Sequence, residues 1–218
     1  MSRLNWIAAA GALCAAFVQP AVAQTVKVTP IGGVDGEFCA QDRALVFEDP
    51  NGTRVLYDPG HTVAGGGDPR LGKIDIVLLS HMHNDHLGEA HIKAVNAGTC
   101  AKPDTSVSSI PASLAVEIAL AKKSKIVTGS EMPPFFAARL KAGGGDPANA
   151  ILARFGGSVT VGGVKIATVP ALHSNGVDPD YIGGDLGKAM KAAGIAGDVG
   201  PATGYVLRFS NGDRKSVV

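Results

Sequence analysis

Four side chains able to hold a metal ion fall within six residues of this chain, at His81, His83, Asp85 and His86, inside the stretch SHMHNDHLGEAH that spans residues 80–91. In extended backbone, residues two apart point the same way, so His81 and His83 can reach one ion together. Asp85 and His86 lie past the turn and can reach a second position. Imidazole and carboxylate ligands suit zinc, with iron or manganese as alternatives. Three of the chain's six histidines sit in this hexapeptide.

The elements that must position these groups are legible on either side. Residues 74–79, IDIVLL, form a nearly continuous apolar run, the pattern of a strand buried on both faces, and the cluster begins just past its end. Asp85 stands where a helix N-cap would, and Leu87, Ile92 and Val95 give one apolar helical stripe ended by Gly98, which places His91 on the solvent side of that helix. Upstream, β-type runs at 26–28, 44–48 and 54–57 read as a meander. The glycine-rich segment from Thr62 to Asp68 reads as a mobile loop. Downstream, helices are expected over Pro111–Lys123 and Met132–Ala142, with a strand at Lys125–Thr128 between them. Gly162-Gly163 signals a hairpin joining 158–161 to 164–169. A short helix around Gly187–Ala193 and a last strand at Tyr205–Phe209 follow.

The pattern H-x-H-x-D-H after an apolar strand, here His81, His83, Asp85 and His86, resembles the defining motif of the metallo-β-lactamase superfamily. The resemblance implies an α/β fold of mixed layers, the αββα sandwich. It also implies a two-zinc site, in which His81 and His83 are joined at the first ion by His173, while Asp85 and His86 begin the second. The implied activity is that of a hydrolase using a metal-bound hydroxide on an ester, lactone, lactam or related bond. Asp85 would then also be the catalytic group that orients that water or moves its proton. Asp58, in Tyr57-Asp58-Pro59-Gly60, resembles the family's strand-ending Asp that partners a ligand histidine, and reads equally as a turn residue. His61 and His91 match no ligand position. Ser174, Asn175 and Gly176 either border the cavity or form a plain turn.

The resemblance runs from about Thr25 to Ser210, and the family pattern continues beyond it into another strand, a Gly-Asp motif whose Asp bridges both metals, and a final histidine. After Phe209 the sequence offers a turn at Ser210-Asn211-Gly212 with no returning strand, and then Asp213 to Val218. The expectation is a sandwich with its C-terminal portion missing: an incomplete domain over 24–212, and a non-native tail over 213–218 whose codons can spell the start of a sequencing-library adapter. Such a chain should have an open sheet edge at its last strand, low stability and at most one firmly held metal. The alternative function is a non-catalytic or degenerate metal-binding protein of the same fold. A binding module with an incidental histidine cluster is a third.

Composition bounds the rest. A chain of 218 residues with 45% hydrophobic and 18% charged residues can bury one substantial core. A formal net charge of +1 with no basic stripe gives no sign of nucleic acid; a small-molecule substrate is what the resemblance implies. Residues 1–23 carry a basic start at Arg3, an apolar run from Trp6 to Val18 and Ala21-Val22-Ala23, the layout of a signal peptide too short to span a membrane. Periplasmic or secreted residence without membrane attachment is therefore expected. Cleavage after Ala23 leaves Cys39 and Cys100, which are either a disulfide or two buried thiols.

Overall fold

The computed structural model describes residues 24–34 and 38–217, so the expected signal segment lies outside the described residues. In chain order the elements are β1 (Lys27–Pro30), β2 (Leu45–Glu48), β3 (Arg54–Tyr57), β4 (Ile76–Leu79), α1 (Asn84–Leu87), β5 (Ala90–His91), β6 (Val107–Ser108), α2 (Leu114–Lys122), β7 (Lys125–Thr128), α3 (Met132–Ala142) and β8 (Ala150–Leu152). The chain continues through β9 (Ser158–Val161), β10 (Val164–Pro170), β11 (Gly176–Val177), α4 (Pro179–Ile182), α5 (Gly184–Ala192), β12 (Gly197–Asp198), β13 (Thr203–Arg208) and β14 (Arg214–Val217).

Two sheets stack face to face. The first has strand order β1-β2-β3-β4-β7-β8, antiparallel through the β1 to β3 meander and parallel from β3 to β8. The second is antiparallel, in the order β14-β13-β10-β9. The alternation of side chains along each strand of the first sheet sorts its apolar residues into two cores. Val55, Tyr57, Ile76, Leu78 and Val127 face the second sheet, where Ile166, Tyr205 and Leu207 meet them. Leu56, Val77, Leu79 and Ile126 face the other way, onto Leu114, Val116 and Ile118 of α2 and Met132, Phe136 and Leu140 of α3. Strand β4 thus has no solvent face, and each of its four apolar side chains contributes about 1.5–3 kcal/mol of burial before chain entropy is counted. The layers are helix, sheet and sheet; the outer face of the second sheet, with Lys165, Arg208 and Arg214, is exposed among the described residues. Among these residues no helix is long and apolar enough to cross a membrane.

Four expectations are corrected. The helix after the histidine cluster is a single turn: Gly88 caps it in the left-handed conformation at φ +76°, and its N–H donates to Asn84 O. A Cβ there would lie 2.6 Å from Leu114 Cβ and 2.7 Å from Gly60 O, so the chain turns in a gap that only glycine fits. It then runs extended into β5, and His91 is buried rather than on a helix facing solvent. The Thr62–Asp68 segment is pinned: Asp68 is buried, accepts from Ala64 N and Arg70 N, and pairs with the Arg70 guanidinium at 2.6 Å. Helix α2 starts three residues later than expected, because Ser113 caps it by accepting from Val116 N. Finally, a strand does return after Asn211-Gly212: β14 pairs with β13 from Arg208↔Arg214 to Tyr205↔Val217, and Val217 joins the core between the sheets. Among the described residues, β14 rather than β13 is therefore the outermost strand on that side of the sheet.

Candidate metal centre

The histidines stand where strands of both sheets end. Beyond Leu79, Tyr205 donates its hydroxyl to Leu79 O at 2.7 Å, and Thr203 N donates to Ser80 O at 2.9 Å, so β13 of the second sheet holds the exit of β4 in place. His173 follows the end of β10 in the second sheet. Two residues later, Asn175 ties the two loops together. Its Oδ1 accepts from Met82 N at 2.6 Å, and its Nδ2 donates to Gly200 O at 2.8 Å. A buried side chain between His81 and His83 on one strand end and His173 on another is what sets their spacing.

The result is a convergence of imidazoles. The ligand nitrogens of His81, His83 and His173 lie within 4.8 Å of one another. The ring centroids of His81 lie 4.5 Å from His83, 4.6 Å from His173 and 4.1 Å from His86. Burial, then the neighbouring His86, pushes His81 down to about 4, and burial with His173 lowers His83 as well. Both rings are therefore neutral near pH 7 and offer lone pairs.

Hydrogen bonds behind the rings decide which nitrogen carries that lone pair. Asp58 is fully buried at φ +40°; its Oδ1 accepts from Ser80 N at 2.9 Å and its Oδ2 from Ser80 Oγ at 2.6 Å. Having donated its proton, Ser80 Oγ can only accept from His81 Nδ1, 2.9 Å away. His86 Nδ1 likewise donates to Asp58 Oδ2 at 2.7 Å. His81 is thus set as the Nδ1–H tautomer, with Nε2 turned toward His83 and His173, while His86 carries a proton on Nδ1 and turns Nε2 toward Asp85. His81 Nε2 is buried and has no hydrogen-bond partner among the described residues. A buried acceptor without a donor, beside two other imidazoles whose nitrogens lie within 4.8 Å, fits a cation held between them.

Asp85 and His86 sit beside this group rather than within it. Asp85 Oδ2 is 3.5 Å from His86 Nε2 and is engaged by Arg43, whose Nη2 and Nε lie 3.2 and 3.3 Å away. Burial disfavours the Asp85 carboxylate, but the His86 and Arg43 fields outweigh it and hold the group below its ordinary value. His61 and His91 are elsewhere occupied, donating from Nδ1 to Ala90 O at 2.5 Å and to Ile92 O at 2.8 Å.

Of the residues expected at the site, His81, His83 and His173 come together, His86 abuts them, and Asp85 is turned toward Arg43. Asp58 takes its partner role rather than serving only as a turn. Sequence reasoning did not reach Ser80, Tyr205 or Arg43. Ser80 precedes the motif directly, and that adjacency is the signal that could have found it; Arg43, 42 residues before Asp85, leaves none.

The sequence profile of the beta-lactamase superfamily domain matches residues 41–195, more than half of the chain. A UPF0173 metal-dependent hydrolase of Koribacter versatilis is 29% identical over 166 residues, covering 74% of this chain and 52% of that protein. One from Thermococcus onnurineus is 27% identical over 151 residues, covering 68% of this chain and 54% of its own. The chain thus spans about half the length of the curated relatives it matches. Among solved structures, Igni18, a metallo hydrolase of Ignicoccus hospitalis, aligns with a TM-score of 0.48 at 21% identity, covering 87% of this chain and 57% of that one. The metallo-β-lactamase fold protein YhfI of Bacillus subtilis aligns at 0.42 and 15% identity, covering 84% and 57%. The profile match spans the H-x-H-x-D-H motif and His173 together, and by it the chain belongs to the metallo-β-lactamase superfamily.

Proposed function

We propose that this chain is the metal-binding part of an exported zinc-dependent hydrolase acting on an ester, lactone, lactam or related bond in a small molecule. The observation that carries the reading is His81 Nε2, a buried lone pair without a donor, aimed at His83 and His173. When bound there, a zinc ion supplies Lewis acidity toward a substrate oxygen and lowers the pKa of water. The chain's own residues do the rest. Asp58 and Ser80 fix the tautomers of His81 and His86, and Asn175 holds the His173 loop against Met82. Asp85 and His86 offer ligands for a second ion, and Asp85, kept ionised by His86 and Arg43, is the group placed to accept a proton.

The names of the relatives support the class, and the neutral rings support zinc, iron or manganese over harder ions. Export is supported by the layout of residues 1–23 and by the Cys39–Cys100 disulfide, which belongs to an oxidising compartment. A second reading, metal binding without turnover, is favoured by the engagement of Asp85 with Arg43 outside the three-histidine group.

The test is to load the purified chain with zinc, iron or manganese and offer it a panel of p-nitrophenyl ester, homoserine lactone, lactam, thioester and phosphodiester. Turnover that a chelator abolishes and metal restores supports the hydrolase. Tight metal binding with no turnover on any member leaves the second reading, and no metal binding at all sinks both.

A further inference from the structure

Beside the histidines lies a cavity of about 300 Å³ whose walls include Met82, His83, Glu89, Asp178, Tyr181 and Ala196. It shares Gly176 and Ala196 with a second cavity of about 440 Å³ that His173 lines, so each cavity has one of the three histidines in its wall. A volume near 300 Å³ is at the small end of ligand sites.

The polar groups of the smaller cavity all ask for the same thing. Tyr181 is 1% exposed, and its hydroxyl has no hydrogen-bond partner among the described residues. Burial, then the fields of Glu89, Asp178 and Glu117, raise that hydroxyl well above the ordinary tyrosine value, so it stays protonated with an acceptor lone pair free. Neither Glu89 nor Asp178 has an ion-pair partner among the described residues; the nearby Lys191 pairs with Asp180 instead. Asp178 spends one oxygen capping α4, accepting from Asp180 N at 2.8 Å, and keeps the other. Two carboxylates without an ion-pair partner among the described residues and the tyrosine that carries an unpartnered hydroxyl therefore line one concave space.

The geometry points to a cation subsite: a primary ammonium group of the substrate is held between Glu89, Asp178 and Tyr181, next to the bond presented at His83. This names the substrate class of the hydrolase proposed above and rests on that reading for its catalytic consequence, but not for its binding. An ammonium has three donors and a full charge, which matches two carboxylates and a hydroxyl; a neutral alcohol satisfies only one of the three.

The test uses the full chain, with and without zinc, and butylammonium against its neutral counterpart butanol, read through the ring resonances of Tyr181 assigned with Tyr181→Phe. Butylammonium should move these resonances saturably while butanol leaves them in place. Glu89→Gln and Asp178→Asn should each weaken butylammonium binding about tenfold, the loss typical of a charge-assisted hydrogen bond. Both variants should fold, since Gln fills the same space as Glu and Asn caps a helix as well as Asp. In parallel, kcat/KM is compared for p-nitrophenyl butyrate and p-nitrophenyl 4-aminobutyrate. An ammonium-specific shift lost in Glu89→Gln, with neither these esters nor any member of the panel above turned over by the metal-loaded chain, would sustain the subsite and overturn the hydrolase. Metal-dependent hydrolysis of both esters at equal rates, with Tyr181 unmoved or moved equally by butanol, would overturn the subsite and leave the hydrolase standing.

Discussion

Replacing Asp58 by Asn tests how the metal centre is built, because it changes one atom and leaves the shape. Asn tolerates the left-handed backbone that Asp58 adopts at φ +40°, so the turn should survive. The amide oxygen of the new side chain can still accept from Ser80 N, which leaves the amide nitrogen facing both Ser80 Oγ and His86 Nδ1, where a carboxylate oxygen stood. An acceptor for both groups becomes a donor to both. His86 Nδ1 must then be bare and its Nε2 protonated. Ser80 Oγ, now accepting a hydrogen bond from the amide, turns its own hydrogen to the nearer ring nitrogen, His81 Nδ1 at 2.9 Å rather than His86 Nδ1 at 3.3 Å, and the His81 proton moves to Nε2. His81 would present a hydrogen where it now presents a lone pair.

Loss of one such partner behind a ligand lowers metal affinity about 10–100-fold, equivalent to about 1.4–2.7 kcal/mol. Zinc affinity by competition with a chromophoric chelator should fall by at least this factor. The ring ¹⁵N–¹H correlation spectrum of the metal-free chain should show Nδ1–H tautomers in the native protein and Nε2–H tautomers in Asp58→Asn. Unfolding of the metal-free variant serves as the control and should change by less than about 1 kcal/mol, since an amide replaces a buried carboxylate of equal size. Zinc affinity within twofold of native, or unchanged tautomers, would show that Asp58 does not orient the ligands.

Three further outcomes are expected. Asn175→Ala leaves Met82 N and Gly200 O without their partner, and denaturant unfolding should show a loss of about 2–4 kcal/mol together with weaker zinc binding, because His173 is no longer tied to the His81–His83 loop. Asp68→Ala strips Arg70 of its buried counter-ion and Ala64 N of its acceptor; about 3 kcal/mol should disappear, seen as an earlier denaturant midpoint with an unchanged slope. The metal-free chain should also weaken in mild acid. His81 falls from an ordinary value near 6.5 to about 4 in the fold, so the unfolded chain binds the extra proton between these values. Stability is then full above about pH 6.5 and declines as pH drops toward 4, by roughly 3 kcal/mol at most. A denaturant midpoint that stays flat from pH 7 to 4.5, or a slope unaltered in His81→Gln, would contradict the buried neutral ring.

Much of the scaffold could be read locally. The IDIVLL run is buried on both faces, the Gly162-Gly163 hairpin forms, and α3 spans the expected Met132–Ala142. Each of these follows from periodicity or turn chemistry within a few residues. The misreadings arose where a distant contact overrode the local pattern. The apolar spacing of Leu87, Ile92 and Val95 suits a helix, but Gly88 lies between Gly60 and Leu114, and the chain cannot continue coiling there. Glycines at 65–67 suggest mobility, yet the segment is fastened by Asp68 and Arg70, and Gly66 packs where a Cβ would lie 2.6 Å from Ala121 Cβ.

For the centre itself, the sequence determined the inventory of candidate metal-binding side chains. The H-x-H-x-D-H spacing at a strand end places His81 and His83 together by the two-residue period alone, and names Asp85 and His86 as their neighbours. Only the tertiary structure decided the rest, because protonation, tautomer and charge partner depend on groups remote in the chain. His173 reaches His81 across 92 positions because β10 and β4 end at the same side of the stacked sheets, with β13 bonded to both exits and Asn175 as the tie. Asp58, brought beside Ser80 by the parallel pairing of β3 with β4, chooses the nitrogen that His81 and His86 present. Arg43 turns Asp85 aside from the three histidines, and no spacing within the motif carries that information.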